Sequence, residues 1–329
     1  MKKFFKFLIP DSKLGAAGFV ASVGSLLLLV LFYIGFILPK DTVFLYGFAV
    51  FVLFPFFIGV VTPITIGYKS KISVGASIGY SQLALLGVGI GLLFFALEGL
   101  ICIVMSAPIV SVCTIIGSLI GYSIQNSVEK KETNIFSSFG LFLVLIPLLS
   151  FTEKQSLPAE DLTPIVTSIE IAAPPEKVWQ NVVEFPELKP PTEFLFKTGV
   201  AYPIKAEMKG SGVGAIRYCE FSTGAFVEPI TIWDENKLLQ FSVEEQPIPM
   251  RELSPYGALD TPHLHDYFVS RKGQFKLTRL ENGNTLLEGT TWYYHKIKPE
   301  FYWRMWTEQI VHTIHQRVLN HIKEQSEKY

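Results

Sequence analysis

Hydrophobic positions in this chain follow two regimes that change over near Ser156. Before that point they form long unbroken runs, and after it they alternate with polar residues or recur every three to four positions. Roughly 20 apolar residues cross the hydrocarbon of a bilayer. The runs at 14–38, 43–66, 83–105, 109–124 and 135–151 are therefore expected as five transmembrane helices, the fourth and fifth near the lower length limit. Pro55 and Pro63 are expected to kink the second, and Ser106, Ala107 and Pro108 to separate the third from the fourth. Gly87 and Gly91, like Gly117 and Gly121, stand four apart, a spacing that lets helix backbones approach closely.

Residues 152–163 (TEKQSLPAEDLT) are polar, acidic and interrupted by Pro158, and read as a linker. A strand follows at Ile165–Ile171. Pro174 and Pro175 then start a short helix that turns Val178, Trp179, Val182 and Val183 inward. Six further strands are predicted, at 202–208, 213–221, 225–233, 238–244, 267–280 and 285–297, with breaks at Gly and Asn positions. Asn282-Gly283 signals a two-residue hairpin, and 247–262 reads as a loop able to cover the sheet. Pro299 opens a long last helix, on which Ile310, Ile314, Val318 and Ile322 recur at four-residue spacing. The fold class that results is a membrane α-helical bundle at 1–151 plus an α+β domain at 164–329, a curved antiparallel sheet around the C-terminal helix.

Charge sharpens the division. Residues 1–156 hold 10 Lys against 6 Asp and Glu, and every Arg and His lies beyond Thr163. With the N-terminus inside and five crossings, eight of those lysines fall in inner segments and only Lys40 and Lys154 in outer ones, which places the C-terminal domain on the outer side. That assignment reverses if the fourth run does not cross. Neither half carries the basic surface that nucleic acid requires. Glu98 lies inside an apolar run, where an ionisable group is costly; it reads either as a proton or ion site or as a carboxyl hydrogen-bonded to a neighbouring helix. The three cysteines, Cys102, Cys113 and Cys219, define no disulfide framework.

The segments SIEIAAPPEKVW (168–179) and GVGAIRYCEFSTGAFVEPI (212–230), and EGTTWY leading into a terminal helix, resemble the START-like (SRPBCC) superfamily, the helix-grip group that includes polyketide cyclase/dehydrase and lipid-transport proteins. The resemblance covers about half the chain, from Thr163 onward. It implies a deep cavity between sheet and helix that takes an apolar or amphipathic small molecule.

Strand parity then nominates a lining. A turn centred on Thr223-Gly224 sets Phe221 opposite Phe226 and Cys219 opposite Glu228. Arg217, Cys219, Phe221, Phe226, Glu228, Ile230 and Ile232 then share one face, with Arg217 and Glu228 as diagonal neighbours. A two-residue turn at Asn282-Gly283 sets Phe275, Leu277, Leu286, Glu288, Thr290 and Trp292 on one face. Arg217, Phe221, Phe226, Glu228, Glu288, Thr290, Trp292, Ile310 and Ile314 are the expected cavity residues, with Arg217, Glu228 and Glu288 as polar groups in an apolar site. A three-residue turn would flip one strand's faces.

His263 with His265, and His312 with His315, have spacings able to chelate, but no Cys or carboxylate motif completes a metal site. Helical projection sets His312 away from the apolar stripe, His315 at its edge and His321 closer to the inward side. No nucleophile elbow, phosphate-binding glycine loop or zinc-protease signature appears, which weakens an enzyme reading without excluding it, and no cofactor is expected. The expected function is membrane-anchored binding or carriage of a hydrophobic small molecule or lipid. Two alternatives are a cyclase- or dehydratase-type enzyme using Glu228 or Glu288 with Arg217, and a regulatory domain for a membrane bundle centred on Glu98.

Overall fold

The computed structural model describes residues 10–37, 46–127, 148 and 161–328. The chain divides into two units: Met1–Leu157 with Glu252–Thr261, and Pro158–Arg251 with Pro262–Tyr329.

In the first unit, helix α1 covers Lys13–Ile37, and a π-helical turn at Ala49–Leu53 continues into α2, Phe54–Gly67. Helix α3 covers Val74–Phe94 and α4 Leu100–Ser127. Stretches long and apolar enough to cross a membrane lie in α1, in the π-helical turn and α2 taken together (Ala49–Gly67), in α3 and in α4. The third and fourth spans differ from expectation. Helix α3 begins nine residues before Leu83 because Ser73 caps it, its hydroxyl accepting from the Ala76 N–H at 3.3 Å. The break falls at Phe95–Gly99, where Ala96 turns through φ 53°, and Pro108 stays inside α4. A proline is tolerated in such a helix because neighbouring helices re-satisfy the carbonyls it frees. The same logic is visible at Pro63, whose ring frees the Gly59 carbonyl four residues earlier: the Ser81 hydroxyl of α3 donates to that oxygen at 3.4 Å. The expected span at 135–151 lies outside the described residues except for Leu148.

Both glycine pairs serve close packing. A Cβ on Gly117 would sit 2.0 Å from the Phe56 carbonyl and one on Gly121 2.3 Å from that of Val60, so α2 and α4 touch backbone to backbone. Gly87 and Gly91 admit Ala21 and Ser25 of α1 in the same way.

The loop expected to cover the sheet is largely part of this helical unit. Its strands β6 (Glu252–Ser254) and β7 (Gly257–Leu259) form a hairpin. The fully buried Glu252 carboxylate accepts from the backbone N–H groups of Ile101 at 3.1 Å and Cys102 at 3.0 Å. Those donors belong to the first turn of α4 and have no partner within the helix, so a carboxylate there satisfies both and opposes the positive end of the helix dipole. Tyr256 adds a bond from its hydroxyl to the Phe94 carbonyl at 2.8 Å.

The second unit is the helix-grip domain. Strands β1 (Thr163–Ile171), β2 (Pro203–Lys209), β3 (Ile216–Phe221), β4 (Gly224–Asp234), β5 (Leu238–Ser242), β8 (Phe268–Arg279) and β9 (Thr285–His295) form one antiparallel sheet. Their order is β1-β9-β8-β5-β4-β3-β2. Helix α5 covers Pro175–Val183, α6 Phe194–Lys197 and α7 Glu300–Ser326. Pro175 starts α5 in its first turn, and Val178, Trp179 and Val182 are buried by it as their spacing demands. The core joins these to Ile171, Ile230, Leu239, Leu277 and Leu287 from the sheet and to Val318, Leu319 and Ile322 from α7. Trp179 meets Trp233 edge to face at 5.4 Å within it.

Candidate ligand cavity

One cavity of about 120 Å³ lies between the sheet and α7. Strands β3 and β4 give it Arg217, Cys219, Phe221, Phe226 and Glu228, and β5 and β8 give it Phe241 and Phe275. Val311, Ile314, His315 and Val318 close it from α7. The β3–β4 pairing explains why these side chains converge. Ser222 and Thr223 form a two-residue turn, so Phe221 pairs with Gly224, Cys219 with Phe226 and Arg217 with Glu228. The expected turn was one residue further along. Parity is unchanged by a shift of two in the pairing, so the predicted face survives and Arg217 and Glu228 become direct partners instead of diagonal ones. Ile232 leaves that face, because the register slips between Ile230 and Ile232, and it is half-exposed beside Gln240.

The Asn282-Gly283 connection corrects the other half of the prediction. Arg279 pairs with Thr285, and the Leu280 N–H donates to the Asn284 carbonyl at 2.8 Å, which leaves a three-residue turn at Glu281, Asn282 and Gly283. One strand's faces flip as a result. Phe275 and Leu277 now stand opposite Gly289 and Leu287, while Glu288 pairs with Lys276 outside at 3.3 Å. Trp292 lies outside as well, with the Lys272 ammonium 4.1 Å from its ring centre. Thr290 reaches the lining, though alternation puts its side chain on the face of Val166 and Gln274. Ile314 lines the cavity and Ile310 does not. Of the nine residues nominated, Glu288, Trp292 and Ile310 are therefore not in the cavity wall.

The cavity's charge is internally compensated. Arg217, 2% exposed, donates from a guanidinium nitrogen to the Glu228 carboxylate and from Nε to the Val183 carbonyl at 3.3 Å. Phe185, Phe241 and Phe275 surround the guanidinium at 5.5, 5.5 and 5.6 Å, contacts that favour a cation over aromatic faces. Burial pulls the arginine down, but the carboxylate beside it raises it on balance, so it stays charged. Burial raises Glu228 against the opposing pull of Arg217 and pushes the Cys219 thiol up to about 12. Cys219 is thus an inert buried thiol.

Helical projection sets His312 away from the apolar stripe and His315 only at its edge. In the structure His315 is part of the cavity wall, with Thr291 Oγ1 2.8 Å from its Nε2 and Thr167 Oγ1 3.0 Å from its Nδ1. Thr167 Oγ1 is also 2.7 Å from His312 Nδ1. Burial, and secondarily His312, lowers His315 to about 4, so the ring is neutral near pH 7. The signal was present in β1, where alternation puts Thr167 on the inward face of Ile165, Ile169 and Ile171. His321 is buried against Phe185 and stands outside the cavity lining.

Within the helical unit, Glu98, Cys102 and Glu252 bring donor atoms within 4.8 Å of one another. Tyr46 donates its hydroxyl to Glu98, and both oxygens of Glu252 serve the α4 N–H groups. Glu98 itself sits in the Phe95–Gly99 connection and not in mid-helix. Glu98 is thus bonded to Tyr46, and the Glu252 carboxylate is engaged as the cap of α4.

No protein-family model matches the chain, and no curated protein does. Solved structures similar to part of it include norcoclaurine synthase from Thalictrum flavum, at 13% identity over 53% of this chain and 99% of that one, TM-score 0.34. An aromatase/cyclase from Streptomyces is similar at 14% identity over 51% and 94%, TM-score 0.34. A protein from Nitrosospira multiformis is similar at 17% identity over 50% and 97%, TM-score 0.32. The strand order, the gripped α7 and the cavity between sheet and helix define a helix-grip domain joined to a set of apolar helices.

Proposed function

We propose that this chain is a membrane-anchored binding protein whose helix-grip unit holds a small hydrophobic molecule. The observation that carries the reading is an apolar cavity whose only buried charges neutralise each other, which leaves shape and apolar contact to select the ligand. Its size narrows the choice. A cavity of about 150 Å³ takes benzene, and drug-sized pockets start at about 300 Å³, so 120 Å³ suits a single ring or a short isoprenoid segment. A lipid would enter with one end only. The lysine distribution supports a cytoplasmic N-terminus and an outer C-terminal domain, with the membrane as the partner of the apolar helices.

The test is thermal unfolding of the full chain in detergent with toluene, indole or geraniol. A ligand that binds only the folded state raises the melting temperature with concentration. Ile314→Trp fills the cavity and should abolish that rise. A rise of equal size in Ile314→Trp would place binding elsewhere, and no rise with any of the three would count against the reading. An enzyme of cyclase or dehydratase type retains Glu228 and Arg217 but loses Glu288, which faces outward.

A further inference from the structure

Apolar binding does not require the polar chain that links β9, α7 and β1. Thr291 Oγ1 at the cavity wall, His315 Nε2, His315 Nδ1, Thr167 Oγ1 and His312 Nδ1 follow one another at 2.8, 3.0 and 2.7 Å across the ring and the two hydroxyls. The fold places them there. Ile165 pairs with Thr291, so Thr167 lies two positions along on the same inward face. His312 and His315 stand three apart on α7, the spacing that stacks side chains along one side.

Proton counting constrains the chain further. A threonine hydroxyl has one proton and a neutral imidazole one N–H. Thr167 can therefore donate to only one of the two rings, and the other must donate to it. Two complete arrangements exist. In one, Thr291 donates to His315 Nε2, His315 Nδ1–H donates to Thr167, and Thr167 donates to His312 Nδ1. In the other every bond is reversed. Passing from one to the other moves a proton in at Thr291 and a proton out at His312, with no charge left in the wall.

We propose that Thr291, His315, Thr167 and His312 form a proton relay from the cavity to solvent, giving the cavity acid–base function toward a small phenol or enol seated at Thr291. This rests on the cavity being a ligand site. The ligand O–H gives its proton to Thr291 Oγ1 as the Thr291 proton passes to His315 Nε2. The His315 Nδ1 proton passes to Thr167, that of Thr167 to His312 Nδ1, and the His312 Nε2 proton leaves to water. The ligand remains as its oxyanion, and the reverse sequence returns the proton. Burial keeps His315 neutral and so able to relay.

The test uses the full chain in nanodiscs with 4-nitrophenol as the probe, whose ionised form is coloured. Binding is measured by titration, and proton release from the bound probe by stopped-flow after a pH jump. Thr167→Val keeps the shape of the side chain and removes the hydroxyl. It should bind the probe as the wild type does but release protons slower by about tenfold or more, and Thr167→Ser should retain the rate. Wild-type release in Thr167→Val with binding intact overturns the relay. Failure of the wild type to bind the probe overturns the ligand site and, with it, the relay's use. Nitrogen-15 spectra of the two imidazoles give a check that needs no ligand: the relay requires opposite tautomers at His312 and His315, and finding Nε2–H on both overturns it.

Discussion

The buried pair at the cavity allows a prediction whose size and asymmetry follow from the geometry. Arg217 and Glu228 have side-chain exposures of 2% and 7% and satisfy each other across a direct β3–β4 pair. Removing one partner of such a pair costs about 3–5 kcal/mol, because an uncompensated charge is left out of water. Glu228→Gln leaves an obligate cation among Phe185, Phe241 and Phe275 and should show that full loss, about two to four decades in the folded-to-unfolded ratio. Arg217→Met differs, since a carboxyl can protonate. Burial already raises Glu228, and without the guanidinium that rise is unopposed. A folded-state pKa above the unfolded one gives stability that is present at low pH and lost as pH rises through the folded value. Arg217→Met should therefore recover as pH falls, whereas Glu228→Gln should not. The double variant Arg217→Met/Glu228→Leu removes both charges and should return to within about 2 kcal/mol of wild type. Urea unfolding of the full chain in mild detergent, followed by the near-ultraviolet signal of the Trp179–Trp233 pair, reports on this core. Single variants each costing under about 1 kcal/mol, or a double variant equal to their sum, would refute the reasoning.

Other outcomes follow from the same contacts. His315 is held at about 4 against an ordinary 6.5. A depressed folded-state value gives stability that is whole above pH 6.5 and is lost as pH falls toward 4, a change of up to about 3 kcal/mol that His315→Asn should largely abolish. Glu252→Ala removes the acceptor for two N–H groups of α4 and should cost about 1.5–3 kcal/mol. The amides of Ile101 and Cys102 should then exchange faster, and unchanged protection would contradict the cap. Gly117→Val drives a side chain into the Phe56 carbonyl and should lower the melting temperature of the helical unit in detergent, while Gly75→Ala, in open space, should not.

How much the sequence disclosed varied with the kind of signal. Strand faces were legible where alternation alone decides them: Arg217, Phe221, Phe226 and Glu228 share a wall even though the turn lies one residue earlier than expected. Glu288 was lost to one residue of turn length, since Asn282-Gly283 signals a hairpin but does not fix whether two or three residues close it. In the helical unit, composition located the apolar stretches but not their ends. Pro108 looked like a break because prolines end helices in water, whereas the observed break at Phe95–Gly99 is marked only by Glu98 and Gly99, neither of which by itself ends a helix. Nothing local marks Glu252 as a cap for a helix 150 residues earlier, because that contact exists only after folding. On α7 the hydrophobic stripe sets His321 inward, where it is buried, but leaves His315 at its edge, and only the partners Thr167 and Thr291 show that His315 belongs to the cavity wall.

Native mass spectrometry of the full chain, released from mild detergent, reads the occupancy of the cavity. One small hydrophobic molecule should be retained per chain in the wild type and be absent from Ile314→Trp. A wild-type chain that emerges empty from every membrane extract, or a two-chain lipid retained equally in Ile314→Trp, would contradict it.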